Sequence, residues 1–384
     1  MAARLASFST TIFAEMSELA VATSSINLGQ GFPDTDGPAE LSEVAVAAIR
    51  AGENQYPPSQ GRPELRAAIA AHQAAWYGLE YDPADEVLVT VGATEAIAAT
   101  LLALCEPGDE VVLFEPSYDS YAAGCSMAGA VPRRVRLHAP DWSFNPDELA
   151  AAIGPRTTTI LLNTPHNPTG KVFSPEELAL IAGLCVEHDL LAVTDEVYEH
   201  LVFEGRHVPL AGLPGMRERT VAISSGGKTF SFTGWKVGWV TAPAPLVAAV
   251  RSAKQFLTYT SGAPFQLAIA AGLGWAPEAI GRLGTELAAK RDLLCDGLDA
   301  LGYTVYRPAA TYFATTDIAP VAPGLSAHEF CRALPGRCGV VAIPSSVFYD
   351  PGDEEAGRTL VRWAFPKRDE VLRQALARLA SWGP

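Results

Sequence analysis

Lys228 stands in the segment Ser224-Ser225-Gly226-Gly227-Lys228-Thr229-Phe230-Ser231-Phe232-Thr233-Gly234-Trp235-Lys236-Val237-Gly238-Trp239, after a short apolar run and a glycine pair. A desolvated lysine loses its proton readily and can condense with an aldehyde to form a Schiff base. The chemistry this suggests is that of an aldehyde cofactor. An ordinary solvated loop with two lysines has no need of Phe230, Phe232, Trp235 and Trp239 so close together. A nucleotide-binding reading fails: a P-loop requires a glycine separated by four residues from its Gly-Lys pair, and that position holds Ala222.

Further strings carry residues capable of chemistry. Val89-Thr90-Val91-Gly92-Ala93-Thr94-Glu95-Ala96 reads as strand, glycine-led turn and helix start. Free backbone N–H groups at a helix N-terminus bind phosphate, although the string alone is equally an ordinary strand-to-helix turn. Asp195 ends the apolar run Leu190-Leu191-Ala192-Val193-Thr194, with Glu196 and Tyr198 following. A carboxylate there is either a helix cap or an acid held at a sheet edge for function. Asn163-Thr164-Pro165-His166-Asn167-Pro168-Thr169-Gly170 and Glu115-Pro116-Ser117-Tyr118-Asp119-Ser120-Tyr121 each follow a strand-like run, and turn chemistry alone accounts for many Pro- and Asn-rich stretches. Arg362, in Leu360-Val361-Arg362-Trp363-Ala364-Phe365, alternates with apolar residues as in a strand. A buried arginine needs an anion, which is either a structural carboxylate or that of a ligand gripped in bidentate fashion.

These strings resemble the fold-type I, class I/II pyridoxal-phosphate aminotransferases, particularly the kynurenine/glutamine type, over roughly residues 10–380. The resemblance implies pyridoxal 5'-phosphate as the cofactor, with Lys228 as its Schiff-base partner and carrier of the Cα proton. It places Ser225, Lys236, Gly92, Ala93 and Thr94 on the cofactor phosphate. Asp195 would keep the pyridine nitrogen protonated, so that the ring accepts electrons as the substrate Cα–H bond breaks. Tyr198 and Asn167 would bond the phenolate oxygen, and Tyr118 would stack on the ring. Arg362, assisted by Gly31 and Asn167, would receive the substrate α-carboxylate. Tyr56 and the Tyr259-Thr260 segment match positions that enter the neighbouring subunit's site, which implies a homodimer. His166 is expected to be a structural loop histidine, since Lys228 already carries the proton.

Within the family, Val87 to Ala99, Asn54 to Pro58, Asp195 to Phe203 and Gly262 to Gln266 look most like actinobacterial N-succinyldiaminopimelate aminotransferases. That implies N-succinyl-LL-2,6-diaminopimelate with 2-oxoglutarate and glutamate, in lysine biosynthesis. A kynurenine, glutamine, methionine or aromatic aminotransferase is the alternative, as is a cysteine-conjugate β-lyase using the same Lys228, Asp195 and Arg362. One departure concerns Pro308-Ala309-Ala310-Thr311-Tyr312-Phe313, which replaces the family's usual Gly-Thr-Tyr-Phe, so the backbone there is expected to differ.

The elements that must position these residues alternate in type. Apolar runs at Val87–Val91, Glu110–Phe114, Thr159–Leu162, Leu190–Thr194, Val221–Ile223 and Trp239–Thr241 predict strands, while Ala93–Leu104 and Pro175–His188 have helical period and length. Short buried strands separated by helices predict an α/β fold with a mostly parallel sheet, whose ligands bind beyond the strands' carboxyl ends. A long helical pattern from Glu278 to Leu301, shorter alternating segments and a helix from Arg368 onward follow. The expected organisation is a large cofactor-binding domain over 40–277 and a smaller α/β domain built from the two chain ends, 1–39 and 278–384.

Composition narrows the partners. A formal charge of −15 and a pI near 4.9 argue against nucleic acid or an anionic membrane surface, and against a cofactor-bearing transcription regulator. Small amino and 2-oxo acids fit better. The six cysteines lack metal-ligand or redox spacing, so no metal is expected. The start of the chain lacks an export signal and no run reaches membrane-span length, which reads as a cytoplasmic protein.

Overall fold

The apolar runs become six strands of a seven-stranded sheet in the order Val87–Thr90, Gly238–Thr241, Thr220–Ser225, Leu191–Asp195, Thr157–Asn163, Glu110–Glu115, Val131–Arg136. This computed structural model describes residues 3–8, 12–353 and 355–382, so the extreme ends of the expected terminal segments lie outside the described residues. Gly238–Thr241 runs antiparallel to both neighbours and the remaining pairs are parallel. The parallel strands are buried on both faces, which is why they read as continuous apolar runs rather than alternating ones. Val131–Arg136 escapes that pattern because it is an edge strand. Pro132 needs no ladder donor there, and its arginines pair with Glu110 and Glu115 on the adjacent strand.

Helices cover the sheet. Gly92–Leu104 begins directly beyond Val87–Thr90, and Pro175–Glu187 starts at a Ser174/Glu177 capping box with proline in its first turn. The helical segment expected from Glu278 runs from Pro277 to Ala300.

A second, antiparallel sheet of four strands is ordered Ile343–Pro344, Leu360–Ala364, Phe313–Asp317, Thr304–Tyr306. Its core draws on both chain ends: Met16, Ala20 and Leu28 pack with Leu294, Phe330, Trp363 and Leu379. Val197, Tyr198 and Leu201 join the same core, so the segment just past Asp195 ties the two sheets together.

Candidate active site

The segment carrying Lys228 leaves the sheet at Ser225 and turns at once into the short helix Gly226–Thr229. A Cβ on Gly226 would lie 2.7 Å from Ile269 Cδ1, so glycine is what lets the Ala263–Leu273 helix close over this turn. The aromatics form its apolar support: Phe232 stacks on Trp235 with centroids 3.7 Å apart, and Phe230 and Trp239 are core residues. Lys228 Nζ donates to the Tyr312 hydroxyl at 2.8 Å, and that hydroxyl donates to the Gly31 carbonyl at 2.6 Å. Lys236 takes φ +53 and returns toward the same space, with Nζ 3.1 Å from where a Cβ on Gly92 would sit. Burial, then the charge of Lys228, lowers the Lys236 ammonium pKa. Gly92, at φ +75, opens a helix with no side-chain cap. Its first-turn N–H groups, with Lys236, Ser225 and Thr94, form an anion seat.

Asp195 closes its strand level with Asn163 and Ile223. Its carboxylate accepts from the Tyr121 hydroxyl at 2.8 Å and the Val197 N–H at 3.3 Å. Among the described residues no cation forms an ion pair with it. Burial therefore pushes its pKa up to about 6, partly offset by the Tyr121 hydrogen bond. Asn163 braces the neighbourhood: Nδ2 donates to the Asp195 carbonyl at 2.8 Å and Oδ1 accepts from the Asn167 N–H at 2.7 Å. The peptide bonds before Pro165 and Pro168 are cis. His166 is held aside on the Thr169 hydroxyl at 2.8 Å, and burial takes its pKa down to about 3.

Arg362, 2% exposed, projects from the second sheet into the same space. Nη1 donates to Asn167 Oδ1 at 3.0 Å and Nη2 to the Gly29 carbonyl at 3.0 Å, while Nε is buried without a partner. Phe313 lies 4.0 Å from the guanidinium, with Phe348 and Phe13 at 4.9 and 5.2 Å. Among the described residues no carboxylate forms an ion pair with it, and burial lowers its pKa to about 10.

A cavity of about 460 Å³ gathers Gly31, Gly92, Ala93, Thr94, Tyr118, Asn167, Asp195, Tyr198, Ser225, Lys228, Lys236 and Arg362. Tyr56 is the expected site residue that it does not include. Tyr56 is 83% exposed and meets Tyr259 edge-on at 5.8 Å. Sequence reasoning passed over Tyr121, Asn163 and Tyr312. Tyr312 was signalled by the Thr-Tyr-Phe string, whereas Tyr121 and Asn163 owe their places to helical phase and to strand register with Asp195. Residues 308–313 line up beside the Gly170 turn. Ala310 donates to the Gly170 carbonyl at 3.0 Å, and Thr311, a β-branched residue, takes φ +70.

These groups fit a phosphorylated aromatic aldehyde with a basic ring nitrogen. The anion seat, an amine, a buried carboxylate lacking a cation and a guanidinium with an unpaired Nε all face one volume. The chain matches the family model for aminotransferases of class I and II over residues 23–379. It is 50% identical to the probable N-succinyldiaminopimelate aminotransferase of Mycobacterium tuberculosis, covering 98% of this chain and 97% of the relative. A solved structure of N-succinyldiaminopimelate aminotransferase from that organism superimposes with a TM-score of 0.96 at 49% identity, covering 100% of both chains. The methionine aminotransferase of Escherichia coli is 40% identical, over 98% of this chain and 97% of that one. Kynurenine–oxoglutarate transaminase 3 of Rattus norvegicus is 37% identical, over 99% and 90%.

Proposed function

The chain belongs to the class I and II aminotransferases, and on that footing we propose that it binds pyridoxal 5'-phosphate and exchanges an amino group between N-succinyl-LL-2,6-diaminopimelate and 2-oxoglutarate, within lysine biosynthesis. The observation that carries the cofactor and site reading is the convergence of Lys228, Asp195 and Arg362 on one cavity. The 50% identity to the mycobacterial relative supports the substrate.

When bound, the cofactor supplies an aldehyde to take up the amino group and a ring that withdraws electrons from the substrate Cα. Ser225, Lys236 and the backbone of Gly92, Ala93 and Thr94 would hold its phosphate, and Tyr118 would cover its ring. Asp195 would hold the proton on the ring nitrogen, a cationic contact that its unpaired carboxylate lacks among the described residues. Tyr198 and Asn167 would bond the ring oxygen. Arg362 holds the α-carboxylate, with Nε as the spare donor and Gly31 lining the approach. Lys228 Nζ would take the proton from the substrate Cα and deliver it to the carbon of the cofactor's aldehyde group. A positioned acid–base group of this kind contributes roughly 10²–10⁴-fold.

The two sheets would act as the units expected from sequence, 40–277 and 1–39 with 278–384, with the cavity between them. A cytoplasmic homodimer completes the reading. Tyr56 and Phe256, 83% and 86% exposed, lie with Leu257 and Tyr259 on apolar surface suited to a second copy. The six cysteines are free and buried, and no helix among the described residues is long and apolar enough to cross a membrane.

The aromatic wall of Phe13, Phe32 and Phe313 favours a second reading, transamination of methionine, kynurenine or aromatic amino acids. Purified enzyme assayed for glutamate formed from 2-oxoglutarate with each donor distinguishes them. The succinylated substrate should give the highest kcat/KM. A higher value for methionine, kynurenine or an aromatic donor would reverse the assignment.

A further inference from the structure

Outside the catalytic cavity, His72, Glu199 and His200 bring one ligand atom each within 4.8 Å of one another. All three are more than nine-tenths buried. His72 comes from the Pro63–Tyr77 helix, and the other two follow the Leu191–Asp195 strand. Both imidazoles present Nε2 to the same point, the nitrogens lying 2.8 Å apart. Glu199 is already oriented: Tyr77 donates to Oε2 at 2.7 Å and Ser224 to Oε1 at 2.5 Å. Such outer hydrogen bonds are what fix a ligating carboxylate.

The local charge also calls for a cation. Glu196, three residues away, is buried and bonded to His207 at 2.9 Å. Among the described residues neither carboxylate pairs with a lysine or arginine, and buried carboxylates without cationic partners are costly. A cavity of about 750 Å³, lined by Glu199, His200 and His207, adjoins the cluster and supplies an entry path and room for water.

We propose that His72, Glu199 and His200 bind a divalent transition-metal ion of the zinc class, with water from the adjoining cavity completing the coordination. Two nitrogens and a carboxylate plus an open position make a familiar donor set for zinc. Metal–nitrogen bonds of about 2.0–2.1 Å place two tetrahedral ligands about 3.3 Å apart, so the imidazoles need separate by only a few tenths of an ångström. Nδ1 of His72 lacks a partner with or without the ion, so it does not discriminate. The ion would fasten the Pro63–Tyr77 helix to the segment beyond Asp195 and, through Glu199 and Ser224, to the strand that leads to Lys228.

The test uses cofactor-loaded enzyme treated with chelator, desalted and titrated with Zn²⁺ or Co²⁺, beside the double variant His72→Gln/His200→Gln. Wild type should retain about one zinc per chain through desalting, show visible Co²⁺ absorption and melt higher as zinc is added. The double variant should bind at least about tenfold more weakly while keeping its circular dichroism and bound-cofactor absorbance. If the double variant does not fold, zinc X-ray absorption of wild type decides, and must show imidazole ligands. Failure of wild type to take up zinc, equal uptake by a folded double variant, or a spectrum without imidazole overturns the proposal and leaves a hydrogen-bonded histidine pair.

Discussion

Lys228 Nζ and the Tyr312 hydroxyl lie 2.8 Å apart, and because the Tyr312 proton is committed to the Gly31 carbonyl at 2.6 Å, the hydroxyl presents a lone pair to the amine. One tyrosine from the second sheet thus aims the lysine and anchors the Gly31 loop. Tyr312→Phe should keep the fold, since the ring remains packed against Phe313 and Tyr198. A hydrogen bond to a charged group is worth about 1.5–3 kcal/mol, so kcat/KM should fall by roughly 10–100-fold. Steady-state kinetics check this, and an unchanged kcat/KM would show that Lys228 is positioned by other contacts.

Borohydride reduction of cofactor-loaded enzyme should fix the cofactor to Lys228, and Lys228→Ala should abolish turnover. Peptide mass mapping distinguishes it from Lys236, which lies over the anion seat. Label found on Lys236 would exchange the two roles.

The sheet and the cavity were legible to different degrees, for physical reasons. Strands buried on both faces announce themselves as apolar runs, so Leu191–Asp195 and Thr220–Ser225 were found to within a residue or two. Val131–Arg136 was invisible because an edge strand can carry Pro132 and three arginines. Residues in unusual strings, such as Lys228 and Asn167, could be singled out one by one. Tyr121 and Asn163 could not, because their roles arise from register and helical phase, which only the folded chain displays. The His72–His200 contact joins positions 128 residues apart, beyond the reach of any local spacing rule.

Asp195 should give the cofactor-free protein a distinctive pH dependence. Its carboxyl ionises near pH 4 when unfolded and near 6 in the fold. Between those values the native state holds the extra proton, so stability is greatest at the acid end and falls as pH rises through the window. Two pKa units correspond to about 2–3 kcal/mol. Asp195→Asn should remove that decline, as measured by denaturant titration of both proteins from pH 4 to 7. It should also lower turnover of the loaded enzyme by at least about a hundredfold. Parallel pH–stability curves in the two proteins would show that Asp195 ionises normally.

Tyr56 and Tyr259 meet edge-on at the surface, and buried Lys254 bonds the carbonyls of both Ser59 and Tyr259, holding the two segments together. If this surface completes a neighbour's phosphate site, activity should fall on dilution as dimers dissociate, and Tyr56→Phe should weaken cofactor binding by about tenfold. Sedimentation velocity at assay concentration tests the first expectation and cofactor titration the second. A fully active monomer would rule out a shared site.

Arg362 should affect every substrate alike, whichever side chain the enzyme prefers. All amino donors carry an α-carboxylate, and the guanidinium offers one unpaired nitrogen that no carboxylate engages among the described residues. Its other partners, Asn167 and the Gly29 carbonyl, are neutral and hold its orientation without satisfying its charge. A charge-assisted bond contributes about 1.5–3 kcal/mol, so Arg362→Ala should lower kcat/KM by at least about tenfold for succinylated diaminopimelate, glutamate and methionine together. Arg362→Lys should recover little of the loss, because an ammonium cannot reproduce the planar fork that engages a carboxylate and Asn167 at once. A loss confined to one donor class would mean that Arg362 reads the substrate side chain, and the substrate would then have to sit in the cavity the other way round.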